Sequence, residues 1–159
     1  MKRMFLFFGL FFLAQNAWAQ SSELPLPRFA SLRFNQVNLR TGPGMRYPVD
    51  WVYLKQDLPV EIVSEFEHWR KIKDFEGKSG WVHRHMLSGR RTVRTLNEGV
   101  LRRAASEDSL ALARYEKGVI GKVSVCSEKA ALCQVDFQGF QGWTLKNNLW
   151  GVYPDEVLE

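Results

Sequence analysis

The chain repeats itself at an offset of 62 residues. Residues 74–81 read DFEGKSGW, and residues 136–143 read DFQGFQGW. The same register carries further matches: Leu39-Arg40 with Leu101-Arg102, Tyr53 with Tyr115, Leu87 with Leu149, and Gly89 with Gly151. A repeat of this length indicates two copies of one domain rather than a stack of short units. Each copy has about 60 residues, close to the smallest size at which a domain folds alone.

Within each copy the sequence predicts short β-strands and no substantial helix. Residues 60–63 and 119–125 are rich in β-branched side chains, which favour strands. Gly77 and Gly139 follow short predicted strands, where a hairpin turn requires a positive φ. Residues 106–114 could form a helix, but their alignment with a loop of the first copy predicts loop and strand. We therefore expect an all-β chain made of two small barrels.

The N-terminus has the three-part pattern of a secretory signal peptide. Lys2 and Arg3 precede a mostly apolar run over residues 4–14. Small residues then occupy the positions that a signal peptidase reads, so we expect cleavage between Ala19 and Gln20. The apolar run is shorter than the roughly 20 residues of a membrane span. An N-terminal anchor helix that stays attached is the alternative interpretation.

The repeat and the N-terminal pattern together divide the chain into segments. We expect a first barrel over residues 29–90 and a second barrel over residues 92–152, joined by a short basic link. The other segments are a signal peptide over residues 1–19, a flexible leader over residues 20–28 and a C-terminal tail over residues 153–159. We expect no membrane span after cleavage, because no later apolar stretch is long enough.

Basic charge is concentrated in the first half of the chain. Residues 28–95 hold 13 Lys and Arg against 7 Asp and Glu, whereas residues 96–159 hold 7 against 9. A basic surface favours an anionic partner, such as cell-wall carboxylates, lipid phosphates or an acidic protein. An ordinary solvated surface explains the same numbers equally well. We do not expect a nucleic-acid partner, since an exported protein rarely meets one.

Cys126 and Cys133 are the two cysteines of the chain. An even pair in an exported protein indicates a disulfide. The segment between them is long enough for a hairpin turn, so the bond can cross two adjacent strands. Two cysteines alone make a weak metal site, and a redox role normally requires closer spacing and a thiol of low pKa. We expect a structural disulfide, with no metal and no cofactor.

Several segments resemble bacterial SH3-like domains. Residues 37–44 read VNLRTGPG, like the opening signature of these domains. Residues 69–72 (WRKI), Gly77 and residues 80–82 (GWV) are similar to the middle and the end of the same domain. The second copy is similar more loosely and lacks the Gly-Pro-Gly turn. The resemblance implies two tandem SH3-like β-barrels.

The end of the second copy narrows this resemblance. Residues 149–154 read LWGVYP, like the ending of a largely uncharacterised family of exported two-copy SH3-like proteins of the Gram-negative envelope. Cys126 and Cys133 match the cysteines of that family. The resemblance implies binding rather than catalysis, since SH3-like domains dock cell-wall peptides, glycans or protein segments in a shallow aromatic groove.

Trp69, Trp81 and Met86 are our candidates for such a groove. Strand alternation places Ile72 and Val82 in the core, and Trp69 and Trp81 on the opposite faces of their strands. Exposed aromatic side chains provide large contact areas at low entropic cost. By resemblance, Met86 occupies a position that lines the groove in SH3 domains. The alternative for Trp81 is that it only covers the open end of the barrel.

The second copy keeps few of these residues. The offset places Ala131 at the position of Trp69 and Asn148 at the position of Met86. The first copy is therefore the better binding candidate, with the second copy as a spacer or as a partner that docks on the first. His83 and His85 could share a strand face, but a third metal ligand is not evident.

No catalytic constellation is present in the sequence, so we do not expect an enzyme. The cysteines and the three histidines lie in different copies, and no motif of a serine hydrolase, a phosphate loop or a zinc protease occurs. We expect a non-catalytic periplasmic binding module that docks peptidoglycan. An adaptor for an envelope enzyme or receptor is the alternative, and a structural or ligand-sensing unit of two fused barrels is a third. The sequence names neither the ligand nor the oligomeric state.

Overall fold

The computed structural model describes residues 24–127 and 129–159. The predicted signal peptide and its cleavage site between Ala19 and Gln20 lie outside the described residues. Among the residues that are described, no helix is both long enough and apolar enough to cross a membrane.

The described chain is built from strands, as the repeat and the strand patterns predicted. The first copy has the strands β1 (Arg28–Leu32), β2 (Val37–Arg40), β3 (Val49–Tyr53), β4 (Pro59–Phe66), β5 (Trp69–Lys73), β6 (Ser79–His83) and β7 (Leu87–Ser88). The second has β8 (Thr92–Thr95), β9 (Gly99–Arg102), β10 (Ala111–Tyr115), β11 (Ile120–Cys126), β12 (Leu132–Phe137), β13 (Phe140–Leu145) and β14 (Leu149–Trp150). A 3-10 turn precedes the last strand of each copy, Arg84–Met86 and Lys146–Asn148.

The two copies share one topology. Seven strands form each sheet, in the order β3-β2-β6-β5-β4-β1-β7 and then β10-β9-β13-β12-β11-β8-β14. Every strand of the second order is the strand of the first order seven places later, and all the pairings are antiparallel. The prediction of an all-β chain with two tandem SH3-like domains is confirmed.

Each copy has its own hydrophobic core. In the first, Leu32, Leu39 and Val60 are fully buried together with Ile72 and Val82, the two residues that strand alternation assigned to the core. In the second, the core residues include Val93, Leu101, Val135, Leu149 and the two cysteines. Separate cores are what two independent small barrels require.

Hairpin turns close the strand pairs at the glycines that the sequence singled out. Gly77 has a φ of 86° between β5 and β6, and Gly139 has a φ of 95° between β12 and β13. A side chain would be strained at such angles, so glycine is the residue of choice here. The requirement for positive φ at both turns is therefore confirmed.

The two copies are packed against each other. The indole of Trp150 donates a hydrogen bond to the carbonyl of Pro59 (3.1 Å) and meets the ring of Phe29 edge-on, with 5.2 Å between ring centroids. The hydroxyl of Tyr153 donates to the carboxylate of Glu61 (3.0 Å), and its ring lies 4.7 Å from that of Phe29. Trp150, in the last strand of the second barrel, and Tyr153, just after it, thus cover Phe29 in the first strand of the first barrel. We call these contacts the inter-barrel aromatic cluster.

Polar contacts also hold the C-terminal segment, which was predicted as a tail. Arg91, in the link, donates to both carboxylate oxygens of Glu156, at 2.6 and 2.9 Å. Lys146 is buried and donates to the carbonyls of Pro154 and Glu156, at 3.3 and 2.9 Å. Leu158 forms a β-bridge with Cys126. The segment after β14 therefore lies along the second barrel and reaches the first.

Candidate binding groove

The first copy contains an open cleft of about 420 Å³. Strands β2, β5 and β6, the 3-10 turn and two loops contribute its lining residues: Gln36, Asn38, Arg40, Met45, Trp69, His83 and Met86. We call this cleft the first groove. Trp69 and Met86, predicted as groove residues, both line it.

Trp69 begins β5 and is only 9% exposed. The expectation of an exposed tryptophan is therefore not met, and the role of Trp69 in binding a ligand stays a prediction. Its cross-strand partner is His83, whose ring stands edge-on to the indole at 5.5 Å. Alternation along the strand does not reveal this cover, because it comes from a neighbouring strand. Trp69 forms part of the wall of the groove and presents a narrow strip to solvent.

Met86 and Met45 supply flexible apolar surface in the same cleft as Trp69. Met86 ends the 3-10 turn, packs against the first core, and its carbonyl accepts a hydrogen bond from the backbone N–H of Arg33 (2.8 Å). Met45 is 74% exposed at the tip of the loop between β2 and β3. Methionine adapts its shape to irregular partners. The sequence analysis missed Met45, although the preceding Gly-Pro-Gly turn marks the loop that carries it.

Arg40 fixes the loop that presents Met45. Its guanidinium donates to the carbonyl oxygens of Tyr47 (2.8 Å) and Met45 (3.3 Å). Gly42 lies against the ring of Tyr47, where an added Cβ would come within 2.4 Å of a ring carbon. The loop signature that resembles SH3-like domains thus has a physical role, since it shapes one wall of the groove. Arg40 is also the one permanently charged residue in the lining.

Trp81 is not brought into the groove with the other two candidates. It lies in β6 on the same strand face as His83, between Lys71 of β5 and Arg40 of β2. It is half-buried and is not among the residues that line the cleft. Its role as a groove residue stays a prediction.

His83 is the titratable group at the wall of the groove. Burial lowers its pKa below the usual value, and the neighbouring His85, His68, Arg84 and Arg70 lower it further. The imidazole rings of His85 and His68 lie 4.8 and 6.1 Å from that of His83. The ring of His83 is therefore neutral at pH 7. In the described part of the chain, no group of three or more His, Cys, Asp or Glu side chains is placed to hold a metal ion.

The second copy has a cleft of about 410 Å³ at the equivalent place. Its lining includes Glu98, Val100, Arg102, Glu107, Leu145 and Asn148. These residues stand 62 positions after Gln36, Asn38, Arg40, Met45, His83 and Met86. We call this cleft the second groove. The sequence analysis found no site in this copy, because the side chains at the positions of Trp69 and Met86 have changed.

The predicted disulfide is present. Cys126 and Cys133 are bonded, are buried, and face each other across β11 and β12. The same place on the ladder of the first copy is taken by Ser64 and Lys71. No free cysteine remains among the described residues.

Comparison with known proteins identifies the domains. The family model for the bacterial SH3 domain matches residues 34–89 and again residues 96–151. A comparison with curated proteins found no match. The solved structures of NlpC1 and NlpC2 from Trichomonas vaginalis are similar, at 14% and 12% identity, each with a TM-score of 0.36. The matches cover 82% and 78% of this chain but 48% of each of those proteins, so the chain spans about half their length. The chain belongs to the bacterial SH3 domain family, with two copies of the domain in tandem.

Proposed function

We propose that this protein is a non-catalytic binding module of the bacterial periplasm that docks on peptidoglycan through the first groove. The observation that carries this proposal is the groove itself, an open cleft with Trp69 and Met86 in its walls and Met45 at its rim. Bacterial SH3 domains are commonly cell-wall binding modules.

The chemistry of the first groove suits a ligand with both apolar and anionic parts. Aromatic and methionine side chains provide contact area for a peptide backbone or a sugar ring. Arg40 supplies a positive charge, and the first half of the chain has an excess of basic residues. Peptidoglycan offers peptide stems that end in carboxylates, which a basic groove attracts.

Export to the periplasm is supported by two features. The N-terminal sequence has the pattern of a signal peptide, with expected cleavage between Ala19 and Gln20. The disulfide between Cys126 and Cys133 is of the kind that persists in oxidising compartments.

The lack of catalytic activity is proposed from the state of the nucleophile candidates. Both cysteines are in the disulfide, so neither can act as a thiolate. The three histidines lie in the other copy, where His83 stands edge-on to Trp69 and the rings of His68 and His85 contact that of His83. The described part of the first groove therefore offers contacts for binding but no nucleophile and base in one place.

Co-sedimentation with purified peptidoglycan tests the proposal. Met45→Glu adds a negative charge at the exposed rim of the groove without disturbing the core. Leu54→Glu is the matched control, since Leu54 is also 74% exposed but does not line the groove. We expect the native protein and Leu54→Glu to sediment with the wall, and Met45→Glu to lose most of its binding. Trp69→Phe, which keeps the buried ring, should weaken binding less.

A failure of the native protein to sediment would overturn the proposal. Loss of binding in Leu54→Glu but not in Met45→Glu would move the contact surface from the groove to the neighbouring strand β3. Circular dichroism of each variant establishes that the barrels are still folded.

A protein-interaction adaptor is the second candidate, and the edge strand β3 favours it. β3 lies at the edge of its sheet and exposes Val49, Trp51 and Val52 to solvent. Exposed edge strands can pair with an extended segment of another protein. Cross-linking in envelope extracts, with Val52→Lys as the comparison, tests this role. A specific partner that is captured by the native protein and lost in Val52→Lys would support the adaptor.

A further inference from the structure

Both copies have a cleft at the same place in the barrel, and the second groove is the cleft of the second copy. Arg102 donates to the carbonyl of Ser109 (2.9 Å), as Arg40 donates to that of Tyr47 (2.8 Å). Arg102 and Ser109 each stand 62 residues after their counterparts Arg40 and Tyr47. The clefts have nearly equal volumes, about 410 and 420 Å³. The arginine therefore has the same structural role in both, and the same cleft is shaped around different side chains.

The second groove has a polar wall where the first has apolar residues. Asn148 replaces Met86 and Thr144 replaces Val82. The hydroxyls of Thr144 and Tyr115 are 2.5 Å apart, and the amide of Asn148 donates to the same tyrosine oxygen (2.9 Å). Thr144 is only 2% exposed, and buried polar groups are costly unless they are hydrogen-bonded. The network therefore forms a fixed polar surface in the cleft.

The equivalent tyrosine of the first copy points to a different partner. Tyr53 donates its hydroxyl to the carboxylate of Asp74 (2.9 Å), at the turn after β5. In the second copy Asp136, which matches Asp74, instead accepts from the backbone of Gly139 (2.7 Å) and from Gln141. The hydroxyl of Tyr115 is thus free to join the wall of the cleft. Tyr115 stays in the second core, and the change of partner places its hydroxyl at the wall of the cleft.

The charge of the second groove is the reverse of that of the first. Glu98 and Glu107 stand where the first groove has Gln36 and Met45. Neither carboxylate has an ion-pair partner within the described residues. Arg102 is the one basic side chain in the lining and, like Arg40 in the first groove, it donates to a backbone carbonyl, so the two carboxylates outnumber the single positive charge. A cation entering this cleft would meet two carboxylates and a polar wall that offsets part of its lost hydration.

We propose that the second groove is a second binding site, and that it takes a primary ammonium group carried on a short hydrocarbon stem. An ammonium group is compact, with three donors and no acceptor, so it suits carboxylates and hydroxyls that approach from several sides. Val100, Leu132 and Leu145 also line the cleft and provide apolar contacts for the stem. Such a group occurs in lysine-like side chains of peptides and in free diamines.

Both grooves are open at the same time. The residues that join the barrels, among them Phe29, Glu61, Trp150 and Tyr153, line neither groove. The protein can therefore hold an anionic or apolar ligand in one copy and a cationic group in the other. Two linked sites of one protein that hold the same polymer bind it more tightly than either site alone. This second site does not depend on what the first groove binds.

Nuclear magnetic resonance titration tests the site. The full sequence is expressed in a bacterium with residues 1–19 intact, and the oxidised protein is purified as the cell processes it, labelled with ¹⁵N. The probes are Nα-acetyl-lysine methylamide, the diamine cadaverine, and Nα-acetyl-norleucine methylamide, which has the same stem without the charge. We expect saturable amide shifts centred on residues 98–102 and 144–148 for both amines, and none for the norleucine compound. The stronger of the two amines distinguishes a peptide-borne group from a free diamine.

Variants that change charge assign the shifts to the second groove. The double variant Glu98→Gln with Glu107→Gln should weaken binding of the amines by about fivefold or more, as for loss of two exposed charge pairs. The matched double variant Asp155→Asn with Glu159→Gln removes the same charge elsewhere and should leave binding unchanged. Equal weakening in both double variants, shifts spread over all exposed acidic residues, or an equal response to the norleucine compound would each overturn the proposal. Preserved ¹H–¹⁵N spectra show that the variants are folded.

Discussion

The first and second barrels share strand order and cleft position but differ in what stabilises them and in what they present. In the first, Trp69 stands at the end of the β4–β5 hairpin, and Ser64 pairs with Lys71 across the strands. In the second, the tryptophan is replaced by Ala131 and the same cross-strand pair is a disulfide. The difference teaches that the repeated frame tolerates change at the hairpin end and around the cleft, where the contacts with a ligand would be made.

The contact between the barrels is also asymmetric, and breaking it should have the largest effect. The second barrel supplies Trp150, whereas the first has Ser88 at the equivalent position. Because the indole packs on Phe29 and bonds to Pro59, we expect Trp150→Ala to lower the free energy of unfolding by about 3 kcal/mol. We also expect one calorimetric transition in the native protein to become two. Trp51→Ala, at a half-exposed site away from this contact, is the control, and equal effects of the two variants would contradict the expectation.

Loss of the disulfide should make the second barrel less stable than the first. A short loop limits the entropic gain, so Cys126→Ser with Cys133→Ser should cost about 2 to 3 kcal/mol. In the Trp150→Ala background, where we expect the barrels to unfold in separate transitions, the cost should fall on the second barrel alone, since the first has no cross-link in its described residues. Urea unfolding followed by hydrogen exchange of each barrel measures this, with Ser64→Ala as the matched change in the first. A drop of equal size in the protection of the first barrel would show that the barrels unfold as one unit.

A smaller effect is expected from Tyr153→Phe, which removes one hydrogen bond across the contact. We expect a loss of about 1 kcal/mol, because the bond ends on the carboxylate of Glu61. Burial, followed by the bond and charge of Glu61, raises the pKa of Tyr153. The unfolded chain therefore ionises first, and the stability that this residue contributes should fall as the pH rises above about 10.

Urea unfolding at pH 8 and pH 10.5 measures both effects of Tyr153→Phe. Tyr47→Phe is the control, since within the described residues the Tyr47 hydroxyl takes part in one hydrogen bond, accepted from its exposed neighbour Arg46. An unchanged alkaline slope in Tyr153→Phe would contradict the assignment.

The smallest predicted effect is a loss of stability at low pH that comes from His83 in the first groove and has no counterpart in the second groove. The lowered pKa of His83 means that the unfolded chain takes up the proton more readily than the folded chain. Stability from this residue should be complete above about pH 6.5 and be lost as the pH falls towards the lowered value. The second groove has Leu145 at this position, so it should not contribute to this slope. Urea unfolding at pH 7.5 and pH 5 should show a shallower fall in His83→Gln than in the native protein.

The repeat made the fold readable from the sequence. One register of matches, strand alternation at Ile72 and Val82, and glycines at Gly77 and Gly139 were enough to predict two all-β barrels and their turns. The disulfide followed from the number of cysteines and from the expected export. These features are local or repeat within the chain, so each was visible twice or within a few residues.

The candidate site was only partly readable. Trp69 and Met86 were placed on the groove, but the burial of Trp69 under His83 depends on a neighbouring strand. The position of Met45 in the groove depends on the conformation of a loop, which the alternation of side chains along a strand does not predict. The second groove was missed because a comparison with the first copy registers lost residues more readily than gained ones. The contact of Trp150 with Phe29 joins residues at opposite ends of the two barrels, and no local pattern predicts it.

The inter-barrel aromatic cluster also has a consequence for the order of assembly. Synthesis runs from the N-terminus, so the chain completes β7 at Ser88 well before Trp150 and Tyr153 are available. Until those residues arrive, the face of the first barrel that carries Phe29 is uncovered and open to association with other chains. A fragment cut in the link near Arg91 would keep the first groove but would leave the aromatic face around Phe29 exposed to solvent. A fragment of this kind should be a poor substitute for the intact protein in measurements of binding.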